Sequence, residues 1–93
     1  MFKLVLIDDD AEVLAINQKY LTGAGFTVYT AISPRECVLS IRKNLPDCIL
    51  LDVMLPEADG YRVCRYIRSF SSVPILFLTA RSSEEDVIRG LTC

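Results

Sequence analysis

The stretch Cys48-Ile49-Leu50-Leu51-Asp52-Val53-Met54-Leu55-Pro56 sets a single carboxylate inside an otherwise apolar run. Burying an isolated charge among such neighbours is costly unless it is paired or hydrated, so Asp52 belongs at the open end of a strand, near water or a cation. A second apolar run, Leu4 to Ile7, empties into Asp8, Asp9 and Asp10. Two strands that each finish in acid make these residues site candidates on physical grounds alone.

Working outward, apolar runs at about 3 to 7, 26 to 30, 47 to 51 and 74 to 78 read as strands, and each is followed by a helical pattern. The first helix is expected over about 11 to 22, with Asp10 as N-cap, Val13, Leu14, Ile16, Tyr20 and Leu21 on its inner side, and Gly23 and Gly25 as the stop. Ser33, Pro34 and Glu36 announce the second as an N-cap, a proline at the first helical position and a capping-box partner. Its apolar stripe is Cys37, Val38, Ile41 and Leu45. The third, from about 59 to 69, sets Val63, Cys64 and Ile67 on one side and Arg62, Arg65 and Arg68 on another, a solvated row that also complements the helix dipole. In the fourth, Ser82 or Ser83 caps a turn carrying Glu84, Glu85 and Asp86, and Val87, Ile88 and Leu91 face inward.

Four successive βα units imply parallel strands joined by right-handed crossovers. The expected fold class is therefore α/β, a doubly wound parallel sheet with helices on both faces. At 93 residues the chain is one domain, too short for a TIM barrel. The 52% hydrophobic content and mean hydropathy of +0.35 suit elements buried on two faces. A net charge of -2 gives no electrostatic footprint for nucleic acid or anionic lipid. The amino-terminal apolar run is too short for a signal peptide or a membrane span, so a cytoplasmic location is expected. Cys37, Cys48, Cys64 and Cys93 lack CxxC spacing, the chain has no histidine, and all four read as reduced, small apolar residues.

In a doubly wound sheet the ligand site lies beyond the carboxyl ends of the strands, where strand order reverses. Asp8, Asp9, Asp52 and Thr79 all fall at such ends. If strands one and three are neighbours, three carboxylates converge and raise one another's pKa unless a cation intervenes. Oxygen-only ligands select a hard ion, and a site with room for water and a phosphate suits Mg2+ better than Ca2+. The alternative is a solvated acidic loop. Thr79 beside such a site can donate a hydrogen bond to a phosphoryl oxygen.

The stretches LVLIDDD from Leu4, LDVMLPEADGYRVCRYIR from Leu51 and VPILFLTAR from Val73 resemble the receiver domain of two-component response regulators, in the expected order and separation. The resemblance implies a flavodoxin-like receiver fold and a signalling phosphoacceptor rather than a turnover enzyme. By it, Asp52 matches the phosphoacceptor, Asp9 a direct Mg2+ ligand, Asp8 a water-mediated one and Met54 a ligand through its backbone carbonyl. Thr79 matches the switch hydroxyl, Ala80 the small residue beside the acceptor, and Pro56 and Gly60 the loop and helix-start positions. The implied partner is a histidine kinase.

Family members continue with a fifth βα unit, including a strand that ends in lysine. This chain lacks that unit, and its lysines are Lys3, Lys19 and Lys43. The expectation is a receiver domain over 1–93, truncated before the fifth strand and helix, whose parent carries a winged-helix DNA-binding domain. Loss of that unit would leave strand four as an edge and uncover the first helix, so a homo-oligomer through either is expected. Two other readings stand beside phosphotransfer. One is a folded interaction module without efficient phosphotransfer. The other is a phosphohydrolase with an aspartyl nucleophile, disfavoured because Met54 occupies the place of its general acid.

Overall fold

The structure, a computed structural model, describes residues 1–52 and 60–78, apart from the side chains of Asp52, Tyr61 and Leu78. The expected fourth helix, Met54, Pro56, Thr79, Ala80, Arg81 and Cys93 lie outside the described residues. The described elements are β1 (Lys3–Ile7), α1 (Ala11–Gly23), β2 (Thr27–Ala31), α2 (Pro34–Asn44), β3 (Cys48–Asp52), α3 (Gly60–Arg68) and β4 (Ile75–Leu78). All strand pairs are parallel and the order is β2-β1-β3-β4. This is the doubly wound topology that the alternating periods imply, and the order reverses between β1 and β3.

Local chemistry sets the helix ends. Asp10 caps α1, its Oδ1 accepting the Glu12 and Val13 N–H groups at 3.0 and 3.2 Å. The helix closes in a Schellman arrangement: Phe26 N–H donates to Leu21 O and Gly25 N–H to Thr22 O, both at 3.1 Å. Gly25 supplies the left-handed residue this requires, at φ 102°. Ser33 Oγ accepts the Glu36 N–H at 3.2 Å, while Glu36 Oε2 reaches back to the Ile32 N–H at 2.9 Å. The reciprocal half of the expected capping box thus lands one residue early. Leu45 does not extend the α2 stripe. It is the C-cap, left-handed at φ 49° and exposed, its N–H donating to Ile41 O.

Side chains alternate across the strands and divide the sheet into two faces. On one, Val5, Ile7, Ile49 and Leu51 pack with Cys37 and Ile41 of α2 and Val63, Cys64 and Ile67 of α3, all buried. The opposite face carries Leu4, Leu6 and Cys48, with Leu14 the one buried residue of α1. Along the rung Leu6–Leu50–Leu76, which the register defines, Leu6 is buried, Leu50 half-buried and Leu76 56% exposed. Cover falls away from β1 because α1 packs on β1 and β2.

The inner face of α1 and the cysteines also need correction. Ile16 and Tyr20 do not face inward; they are 67% and 76% exposed, and Val13 is also exposed. Apolar residues surround much of α1, and only the stripe through Leu14 meets the strands. The cysteines also divide. Cys37 and Cys48 are buried free thiols, and burial pushes Cys37 up to about 12 and raises Cys48. Cys64 is instead disulfide-bonded. Wide spacing in sequence does not measure Cα separation in space, which is what decides a disulfide.

Candidate functional site

The three aspartates after β1 have three different environments. Asp10 is occupied as the cap of α1. Asp8 is half-buried: its N–H donates to Ala31 O at 3.1 Å, carrying the sheet hydrogen bonding one residue beyond β1, and its Oδ1 accepts the Asp10 N–H at 3.0 Å. That turn orients the Asp8 carboxylate before any ligand arrives. Asp9, between them, is exposed.

Asp52 is the last residue of β3. Ile7 is in register with Leu51, so Asp8 and Asp52 are the next residues along two adjacent parallel strands. Asp52 is itself in register with Leu78 of β4, the residue before Thr79 in sequence. The fold therefore brings Asp8, Asp9 and Asp52 to one end of the sheet, at the reversal between β1 and β3. Thr79 and Met54, the remaining candidates, lie outside the described residues. Among the described residues no cluster of three potential metal-ligating side chains is formed. The donors at this end of the sheet are nevertheless all oxygen, the chemistry a hard divalent cation requires.

Lys3 is at the other end of the sheet. Its Nζ donates to Asn44 O at 2.9 Å and its N–H to Asp47 Oδ2 at 2.7 Å, so it anchors β1 to the end of α2 and is far in chain direction from the aspartates. Arg68, grouped with the solvated arginine row, instead donates from Nη1 to Val73 O at 2.5 Å and Ser71 O at 3.4 Å, and so shapes the approach to β4. One surface feature escaped the sequence reading, an apolar groove between α2 and α3. Its signal was Leu39 and Tyr66, large apolar residues standing off the buried stripes.

The model of the response regulator receiver domain family matches residues 4–93, and the chain belongs to that family. It is 43% identical over 89 residues to the probable transcriptional regulator ycf27 of Pyropia yezoensis, covering 96% of this chain and 37% of the relative. It is 44% identical over 91 residues to the transcriptional regulatory protein AfsQ1 of Streptomyces coelicolor, covering 98% and 40% respectively. The BeF3-activated receiver domain of Klebsiella pneumoniae RstA superposes with a TM-score of 0.87 at 33% identity, over 97% of this chain and 77% of that one. The chain thus spans less than half the length of the curated relatives it matches. Among the described residues no helix is long and apolar enough to cross a membrane.

Proposed function

We propose that residues 1–93 form a phosphoacceptor receiver domain in which Asp52 takes a phosphoryl group from the phosphohistidine of a histidine kinase. The observation that supports this reading best is the register of Ile7 with Leu51, which brings Asp8 and Asp52 to the same level at the strand-order reversal. In the transfer, an Asp52 carboxylate oxygen forms a bond to phosphorus as the bond from phosphorus to the kinase imidazole breaks. The bonding pair leaves with the imidazole nitrogen. Asp52 is consumed as an acceptor in each event, so the role is signalling rather than enzymatic turnover.

Asp8, Asp9, Asp52 and the backbone carbonyl of Met54 would hold a Mg2+. Two unit charges about 5 Å apart repel by roughly 3 kcal/mol at an effective dielectric constant of about 20, so carboxylates at adjacent strand ends favour a cation between them. When bound, the ion neutralises charge on the transferring group. Asp8 is held for this by the Asp10 N–H. Thr79, which follows the register partner of Asp52, donates its hydroxyl to a phosphoryl oxygen and couples the added charge of about -1.5 to -2 to the surface beyond β4.

The names of the relatives support a parent protein that regulates transcription; a winged-helix DNA-binding domain outside this chain and a cytoplasmic location rest on the family resemblance of the strand-four stretch and on the short amino-terminal apolar run. The exposed Leu76 of β4 and the exposed Ile16 and Tyr20 of α1 support self-association through either element. Light scattering coupled to gel filtration tests that assembly, and a monomer at high protein concentration contradicts it. The phosphoacceptor role is tested by mixing the chain with a phosphorylated histidine kinase. Label should pass to wild type and not to Asp52→Asn. Failure of wild type to accept label, with the fold intact, leaves only the interaction-module reading.

A further inference from the structure

Helices α2 and α3 border an apolar groove of about 270 Å³ lined by Pro34, Arg35, Val38, Leu39 and Tyr66. Its apolar walls are open to solvent, Leu39 at 61% exposure and Tyr66 at 56%. One wall is braced. Tyr66 meets Phe70 edge to face with centroids 5.7 Å apart, and the Arg42 guanidinium sits 4.9 Å over the Phe70 ring. That stack links the C-terminal end of α2 to the segment just after α3 and sets the Tyr66 ring against Phe70.

Among the described residues, the charge carried by the two helices is one-sided. Together α2 and α3 contain six cations, Arg35, Arg42, Lys43, Arg62, Arg65 and Arg68, against the single acid Glu36, a net +5 on a chain whose formal charge is -2. Glu36 is engaged locally by the Ile32 N–H, and Arg68 by the carbonyls of Ser71 and Val73. Arg35, Arg62 and Arg65 are exposed. Arg35 lines the groove itself, and Arg62 lies one helical turn before Tyr66 on the same face of α3.

We propose that this groove docks an acidic peptide segment of a partner protein, one apolar side chain entering between Leu39 and Tyr66 while flanking carboxylates meet Arg35 and Arg62. A concave, mostly apolar pocket with a few charged groups at its margin fits a side-chain anchor. A nucleic acid backbone would want phosphate contacts along a continuous basic track, and the acids at Asp8, Asp9, Asp10 and Glu12 repel a long polyanion. A bilayer offers no protrusion for a groove. The proposal is independent of phosphorylation at Asp52, because none of these residues belongs to the acidic site.

The test uses the full chain, isotope-labelled for NMR, and a fluorescein-labelled short peptide of Asp and Glu around a central Phe-Leu pair. Saturable binding is expected, with amide shifts confined to residues 34–39 and 62–70. Affinity should fall ~10-fold or more in Arg35→Glu/Arg62→Glu and in Leu39→Asp, while thermal unfolding of these surface variants stays at the wild-type temperature. A peptide with Lys in place of every acid should not bind. The proposal is overturned if the acidic peptide shows no saturable binding, if the variants bind it as well as wild type, or if phosphatidylglycerol vesicles or oligothymidylate displace it from the same resonances.

Discussion

Ile7 of β1 stands in parallel register with Leu51 of β3, and each is followed by an aspartate. The pairing sets Asp8 and Asp52 side by side at the carboxyl end of the two central strands. Register freedom is small here, because a slip by one residue would turn the fully buried Ile49 and Leu51 away from the α2 and α3 side of the sheet. Core packing and site assembly are therefore one constraint.

The acidic cluster is expected to bind Mg2+ weakly. Asp9→Ala should abolish that binding, because it removes the expected direct ligand from an all-oxygen set while leaving the Asp10 cap and the Asp8 turn in place. Isothermal titration calorimetry checks it, and unchanged binding in the variant would reject the assignment.

Truncating Ile49, fully buried between β1 and β4, to Ala should cost about 2–5 kcal/mol through lost burial and the cavity left behind. Ile16→Ala on the exposed side of α1 should stay within about 0.5 kcal/mol of wild type. Urea denaturation of the two variants measures the contrast. Comparable losses would mean that α1 is covered in solution.

Gly25→Ala isolates backbone strain from steric clash. A Cβ at this position meets nothing within 4 Å, yet φ is +102°. The cost, roughly 1–2 kcal/mol in equilibrium unfolding, should come from the left-handed conformation alone. A neutral outcome would place the end of α1 elsewhere.

Much of this architecture is legible in the chain, and the reasons differ by element. The ends of β1 and β3 are plain because acid follows an unbroken apolar run, and α2 announces itself through Ser33, Pro34 and Glu36. The inner face of α1 is not legible, because Val13, Leu14, Ile16, Tyr20 and Leu21 spread around the helix and only the sheet decides that Leu14 is buried. Leu45 continues the i+4 pattern of α2, but the helix has already ended there in a left-handed residue. At the site, chain position alone places Asp8 and Asp52 together once strands one and three are neighbours. Asp10 is legible as the cap of α1 because it is the last acid before the helical pattern, whereas the turn in which Asp8 accepts the Asp10 N–H emerges only from the hydrogen bonds.

Cys37 provides a pH signature. Burial raises its thiol from 9.0 to about 12, so the folded state keeps a proton that the unfolded chain releases. Bound protons are then fewer in the unfolded state, and stability should fall as pH rises from about 9 towards 12. Cys37→Ala should lose that part of the slope in denaturation curves collected across the window. Alkylation of Cys37 in the native protein at pH 9 should be correspondingly slow, and rapid labelling would contradict its burial.

The central claim, that Asp52 is the phosphoacceptor, is tested most directly by site-mapped mass spectrometry after incubation with acetyl phosphate and Mg2+. The account predicts a phosphoryl adduct on the peptide containing Asp52, dependent on Mg2+ and absent from Asp52→Asn. An adduct that persists in Asp52→Asn, or one that forms equally well with the metal chelated, would contradict it.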